Sequence, residues 1–415
     1  MENQRTSVAA LLPIMGAVFI GFLIVGMAMP VLPLHVHQDL GLGTFVVGLV
    51  AGSQFAAQLF TRMWAGRHAD MRGVKHTVIA GLATAAAAGF LYLLSLRFVS
   101  DPATSVTILL LGRALLGAGE SFIITGAQSW GLVRAGSQNA GRVLSWMGSA
   151  MYAAFALGAP VGSLLYARYG FGAIALGTIV LPLLTLLVVA PLSRAAPAAR
   201  VHPAFTRVLA AVWLPGCGAA LSSVGLGAIT AFVGLLFVTR GWEAWSGFTA
   251  FAIAFVAARM FFGHLADRIG GAKLALICVI IEAAGLALVW LAPWSVVALT
   301  GAALTGFGYA LAYPGFGVEA IRRAPAQSQG LAMGAYGVFL DVALGLASPA
   351  LGLIAGVAGL GSVFLVSALI VLCAAAIAVR LLPTKGARNE SSGCDRRVAL
   401  SHRRNIGSRT ADAAA

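Results

Sequence analysis

Four ionisable residues stand inside long apolar runs of this 415-residue sequence: Arg113, Glu120, Glu282 and Asp341. A charge near the bilayer centre costs about 2.5–3.5 kcal/mol on the insertion scale, so each needs a partner, a wet cavity or a task. Arg113 and Glu120 lie seven residues apart, just under two helical turns, on one face. A buried cation favours the ionised form of a nearby carboxyl, and dehydration favours the neutral form. A carboxylate carried between those two influences loads and releases a proton. Arg113, Glu120 and Asp341 are therefore the expected proton-coupling residues, with Asp341 or Glu120 as the partner of Arg113. Glu282 is a further candidate. Gln54 and Gln58, one turn apart, with Ser222, Ser223 and Tyr309, are the polar side chains expected in a substrate cavity.

A second kind of chemistry sits in a polar stretch that occurs twice. Arg62-Met63-Trp64-Ala65-Gly66-Arg67-His68-Ala69-Asp70-Met71-Arg72-Gly73-Val74-Lys75 returns as Arg259-Met260-Phe261-Phe262-Gly263-His264-Leu265-Ala266-Asp267-Arg268-Ile269-Gly270-Gly271-Ala272-Lys273. Arg62 and Arg259, Gly66 and Gly263, Asp70 and Asp267, and Gly73 and Gly270 are each separated by 197 residues. A repeat of about half the chain is the signature of a duplicated transporter. Gly66 and Gly263 are expected to let a neighbouring helix approach. Asp70 and Asp267 are expected to face the N–H groups of a helix N-terminus. Gly73 and Gly270 permit a tight turn, and the flanking Arg72, Lys75 and Arg268 hold the loop on one side of the membrane. Such a latch breaks and re-forms as helices slide.

The elements that must position these groups are membrane spans. Apolar residues are 60% of the chain and charged ones 10%, where a water-soluble domain averages about 25% charged. The net charge of +14 does not indicate nucleic acid, because of where the charges lie. Of the 27 Lys and Arg, all but Arg97, Arg113, Arg168 and Arg240 fall in the N-terminus, alternate loops and the C-terminal tail. That is the positive-inside pattern, and it puts both termini in the cytoplasm. Cys217, Cys278, Cys373 and Cys394 have no ligand spacing, so neither a disulfide nor a metal site is expected. No cleavage site follows the first apolar run, which is read as an anchor. His35, His37 and Asp39 after it are read as a solvated turn.

Twelve spans of about 20 residues fit. The first runs from Val8 to Leu34 with Pro30 and Pro33 near its end, the second from Thr44 to Trp64, the third from Thr77 to Phe98. The fourth spans Val106 to Gln128, the fifth Val143 to Tyr166, the sixth Phe171 to Ala190, the seventh Val208 to Val238, and the twelfth ends near Leu382. Residues 191–207 are polar with prolines and read as a cytoplasmic linker. The division is thus a bundle over 1–190, the linker, a second bundle over 208–382, and a disordered basic cytoplasmic tail over 383–415. The fold class is an all-α membrane protein of 12 transmembrane helices in two pseudo-symmetric six-helix bundles. No Walker loop and no catalytic triad spacing is present, so neither ATP-driven transport nor an enzyme is indicated, and no cofactor is expected.

The repeated stretch resembles motif A of the major facilitator superfamily. The second copy keeps Asp267-Arg268, and the first has Met71 where a basic residue is usual. Arg113 with Gly117 and Gly119 resembles motif B, whose arginine is implicated in proton coupling. Gly158-Ala159-Pro160-Val161-Gly162 resembles the antiporter motif C, with Ala159 and Ser163 at two of its glycine positions. Within the superfamily the chain is most similar to the uncharacterised YhhS branch, labelled arabinose-efflux-like. Gly141-Arg142-Val143-Leu144-Ser145-Trp146, Gly158-Ala159-Pro160, Arg268-Ile269-Gly270-Gly271 and Phe339-Leu340-Asp341 carry that similarity. The resemblance implies rocker-switch alternating access about a central cavity. The expected protein is a monomeric, proton-coupled exporter of a drug, sugar or metabolite in a bacterial inner membrane. Its partners are a small-molecule substrate, protons and the lipid bilayer, with no nucleic acid. Proton-driven uptake and a non-transporting membrane sensor are the alternatives.

Overall fold

The structure, a computed structural model, describes residues 2–135, 140–193, 205–324 and 329–382. Twelve helices are long and apolar enough to cross a membrane, and there is no strand among the described residues. They are α1 (Glu2–Leu34), α2 (Thr44–Arg72), α3 (Val74–Ser95), α4 (Pro102–Ala135), α5 (Ala140–Tyr169) and α6 (Phe171–Val189), then α7 (Phe205–Thr239) and α8 (Ala244–Phe262). After a five-residue helix α9 (Leu265–Ile269) come α10 (Gly271–Leu291), α11 (Ser295–Arg323), α12 (Gln329–Ala358) and α13 (Leu360–Leu381). The expected basic tail and most of the linker lie outside the described residues.

Packing repeats with the sequence. α1 lies on α5, α2 on α4 and α3 on both α4 and α6, while α7 lies on α12, α8 on α11 and α10 on both α11 and α13. Small residues make these contacts close. A Cβ at Gly117 of α4 would stand 2.2 Å from the Gln54 carbonyl oxygen of α2. In α5, Gly162 does the same against the Met27 carbonyl oxygen of α1, and Gly158 fits against Leu23 to Met27. The Gly158-Pro160-Gly162 run is thus the α1–α5 contact, in the small-residue style of membrane helices.

One end of the bundle carries the linker. There the turns Gly73 and Gly270 adopt φ of +93° and +88°, a region that only glycine enters without strain. Lys75 Nζ donates to the carbonyls of Ala190 and Leu192 at 2.6 and 2.7 Å, satisfying the open end of α6. At the opposite end, α1 closes in one turn of π-helix, His35–Asp39. His35 there is buried, stacked on Phe171 and bonded to Asp39, which also accepts from Tyr166. The expected solvated turn is therefore wrong for His35, which is buried under the Phe171 ring. Nearby, Thr104 Oγ1 donates to Asp101 at 2.6 Å, which holds this exposed carboxyl below the usual carboxylate range.

The halves meet along two related seams, α2 against α12 and α8 against α5. On the first seam, away from the linker end, backbones touch. A Cβ at Gly48 would lie 2.2 Å from the Ser348 carbonyl oxygen, and one at Gly352 would lie 2.4 Å from that of Thr44. Thr44 Oγ1 also donates to the Gly352 carbonyl at 2.8 Å. Nearer the linker end, the closest atoms to Gly337 are those of the Arg62 guanidinium. On this seam the halves are in backbone contact at the far end, and nearer the linker the Arg62 side chain reaches across.

Candidate functional site in the central cavity

α2 departs from the expected span. It does not stop at Trp64 but runs on as helix to Arg72, because Arg67, His68 and Arg72 are tolerable helix residues, no proline intervenes, and the single Gly66 is not enough to end it before Gly73. Arg62, already inside the expected span, is thus well within the helix. Its Nε and Nη2 donate to Oδ2 and Oδ1 of Asp341 on α12, each at 2.8 Å. Asp341 is fully buried, and the Arg62 side chain keeps 29% exposure. This two-pronged pair is the strong geometry for a guanidinium and a carboxylate, and it joins the two halves.

One turn before Arg62, Gln58 turns to Glu120 on α4. Both Gln54 Nε2 and Gln58 Nε2 donate to Glu120 Oε2, each at 2.5 Å. The expected pairing of Arg113 is not made with either acid. Asp341 is taken by Arg62, and Glu120, about 10 Å along the helix from Arg113, is held instead by Gln54 and Gln58. Arg113 is 3% exposed, its Nε and Nη1 have no hydrogen-bond partner, and it borders a separate small cavity with Met29, Phe55 and Thr230.

A cavity of about 250 Å3 lies between the halves. Gln58, Arg62, Glu120, Ser121 and Gln128 form its polar wall, and Phe248, Phe251, Phe255, Tyr309 and Tyr313 face them from the other half, with Tyr152 and Phe155 of α5 beside them. Met29, Phe55 and Thr230 border both cavities. Of the five side chains expected in the cavity, Gln58 and Tyr309 line it. Gln54 is buried behind Glu120, Ser222 donates to Glu282 at 2.6 Å, and Ser223 donates to its own helix at the Ala219 carbonyl. Glu282 itself is fully buried away from the cavity and touches no cation.

The repeated stretches are less alike than their sequences. Nothing stands within 4 Å of a Cβ built on Gly66, and the atom nearest to one on Gly263 is its own helix's Arg259 carbonyl oxygen. Neither glycine is a helix–helix contact. Asp70 is half-buried in the last turn of α2, and the side chain of Asp267 lies outside the description. Beside the second copy, Glu319 of α11 is an acid at the start of α10. It accepts from the Ala272 amide of α10 at 3.3 Å and from Arg323 at 2.7 Å. Its spacing from Arg322 and Arg323 was the only signal in the sequence. Arg259 has moved away from acids altogether. It donates to the Ala310 carbonyl at 3.2 Å, and its Cζ lies 4.9 Å from the Tyr152 ring centre and 5.4 Å from that of Phe255. Among the described residues, no group of His, Cys, Asp and Glu is arranged to hold a metal ion.

Two six-helix halves surround a polar–aromatic cavity, and among the described residues the Arg62–Asp341 ion pair links them. Comparison with known proteins gives the family. Residues 14–248 and 241–407 match the Major Facilitator Superfamily. An uncharacterized MFS-type transporter of Salmonella typhimurium is 42% identical over 382 residues, 92% of this chain and 98% of that one. One from Burkholderia pseudomallei is 40% identical over 403 residues, 95% and 97% of the two chains. Among solved structures, the nucleoside transporter NupG superposes with a TM-score of 0.74 at 14% identity over 90% of this chain and all of that one. The fucose:proton symporter FucP of E. coli gives 0.63 at 15% over 91% and 100%. The chain belongs to the major facilitator superfamily and is a multi-pass membrane transporter.

Proposed function

We propose that the protein is a proton-coupled secondary transporter that exports a small organic molecule, and that Asp341 is its proton carrier. The carrying observation is the Arg62–Asp341 pair, a bridge between the halves whose acid is fully buried. While Asp341 is ionised, the bridge holds the seam near the linker end. When Asp341 takes a proton, the Coulomb attraction is lost, and the halves separate there. Glu120 adjoins Arg62 on the cavity wall and is held by two amides, so it can take over the interaction with Arg62 or carry a second proton. Energy then enters as a pH gradient, with no nucleotide site required.

The direction rests on the α1–α5 glycine contact, which has the antiporter-type residues Gly158, Pro160 and Gly162 at its closest point. The moving bodies are residues 1–190 and 208–382, joined by 191–207. The linker end is cytoplasmic, because the basic residues concentrate there. The setting is a bacterial inner membrane and the working unit a monomer. Membership of the YhhS branch is supported by the run from Gly141 to Trp146 and by Phe339-Leu340-Asp341.

The test uses everted vesicles. Gradient-driven accumulation is expected in the parent protein, to collapse when the pH difference is dissipated, and to be absent in Asp341→Asn, while that variant still exchanges substrate across the membrane. Accumulation indifferent to pH, or undiminished in Asp341→Asn, refutes the reading. Reporter fusions at Arg134 are expected to read inside and at Asp101 outside.

A further inference from the structure

The two seams between the halves are related by the repeat, and each has an arginine at the same place: Arg62 on the α2–α12 seam and Arg259 on the α8–α5 seam. The first arginine meets Asp341. The residue 197 positions before Asp341 is Leu144, so the repeat supplies no acid to the second. The structure bears this out in contacts. Arg259 spends one donor on a backbone carbonyl and lies over Tyr152 and Phe255, both of which line the cavity. No carboxylate of any described residue touches it.

We propose that the cargo of this cavity is an organic anion with a flat apolar body, and that Arg259 holds its charge. The inference rests on the reading of the cavity as the cargo site, and it adds the class of the cargo. Charges around the site support it. Arg62 and Asp341 neutralise one another, and Glu120, whose two glutamine donors are neutral amides, contributes one negative charge. Arg113 and Arg259 remain as cations without an acid in contact. Set against Glu120, these two leave one uncompensated positive charge, which favours an anion in the low-dielectric cavity and repels a cation. The guanidinium, laid on aromatic faces, keeps its fork geometry ready for a carboxylate. The other aromatic side chains lining the cavity, Phe248, Phe251 and Tyr309, then receive the apolar body, since a π-surface suits a planar group. A neutral or cationic cargo would leave Arg259 without a counter-charge at every loading.

The experiment uses three radiolabelled probes that share one ring and differ in charge: indole-3-acetate, indole-3-acetamide and tryptamine. Each is equilibrated by dialysis with the purified full-length protein and with Arg259→Gln and Arg259→Lys. The parent is expected to hold the acetate about tenfold or more tightly than the amide, with tryptamine weakest. Arg259→Gln is expected to abolish that preference while binding of the amide, which also reports that the variant is folded, changes by less than about twofold. Arg259→Lys is expected to keep part of the preference, since charge remains and the fork is lost. The inference is overturned if the parent binds none of the three, if the amide or tryptamine is held as tightly as the acetate, or if the preference survives in Arg259→Gln. Flux separates this from the coupling reading. A protein that prefers the acetate but moves it regardless of the pH gradient retains the anion class and loses proton coupling. One that drives tryptamine on the gradient does the reverse.

Discussion

Arg62 and Arg259 began as the same residue of a duplicated unit and ended in opposite chemistry. Arg62 is locked to a buried aspartate across the seam, and Arg259 lies on aromatic rings with no acid near it. The helices that carry them differ too. α2 is continuous to Gly73, whereas α8 breaks at Gly263 and resumes as the short α9. A pseudo-symmetric frame thus has one seam closed by charge and one left open to charge. Symmetry sets where the arginines are, and the single acid at position 341 decides what each one does.

The sharpest way to break this comparison is to remove each arginine in turn. Arg62→Met strands the Asp341 carboxylate in the interior, which costs about 3–5 kcal/mol when one partner of a buried pair is deleted. Arg259→Met strands nothing and loses one hydrogen bond and its ring contacts, about 1–2 kcal/mol. Thermal unfolding of the purified variants is expected to show a far larger loss for Arg62→Met, and Arg62→Met with Asp341→Leu is expected to recover most of it. Equal losses would mean that the two seams are alike after all.

Giving the second seam an acid should make it resemble the first. Tyr152→Glu sets a carboxylate against Arg259 and is expected to weaken indole-3-acetate binding about a hundredfold, with less effect on the amide. A smaller effect is expected on the polar wall. Gln58→Leu leaves Glu120 with one amide donor and costs about 1–2 kcal/mol in the same unfolding assay. The smallest concerns the helices. Gly66 sits in open space within α2, so Gly66→Ala is expected to stabilise by about 0.5–1 kcal/mol. Gly263→Ala is expected to destabilise, because its Cβ would press within 2.6 Å of the Arg259 carbonyl oxygen.

Much of the frame is readable in the residues. Apolar runs of span length give the helices, and the offset of 197 gives the two halves. The intramembrane position of Asp341 follows from its place within its run. Its partner does not. Arg62 falls inside the expected second span but reads as part of the polar latch, and nothing in that stretch points to an acid on another helix. Arg113 reads as the natural partner because it is the most deeply placed cation. Partnership, however, depends on which helix faces face each other across a seam, and no pattern within one helix contains that. Gln54 and Gln58 were legible as inward-facing and illegible as holders of Glu120 for the same reason. Gly66 illustrates the converse. A glycine's meaning depends on whether a neighbour comes close, and here none does.

Asp341 is proposed as the proton-controlled tie between the halves, and the most direct measurement of that role is a distance. Spin labels at Met71, exposed at the end of α2, and Met333, exposed near the start of α12, span the seam at the linker end. In a background without the native cysteines, the pulsed-EPR distance between them is measured from alkaline to acid pH. The parent is expected to shift from a short to a long distance as the medium is acidified, and Asp341→Asn to show the long distance throughout. A pH-dependent shift that persists in Asp341→Asn, or that vanishes only in Glu120→Gln, would contradict the claim.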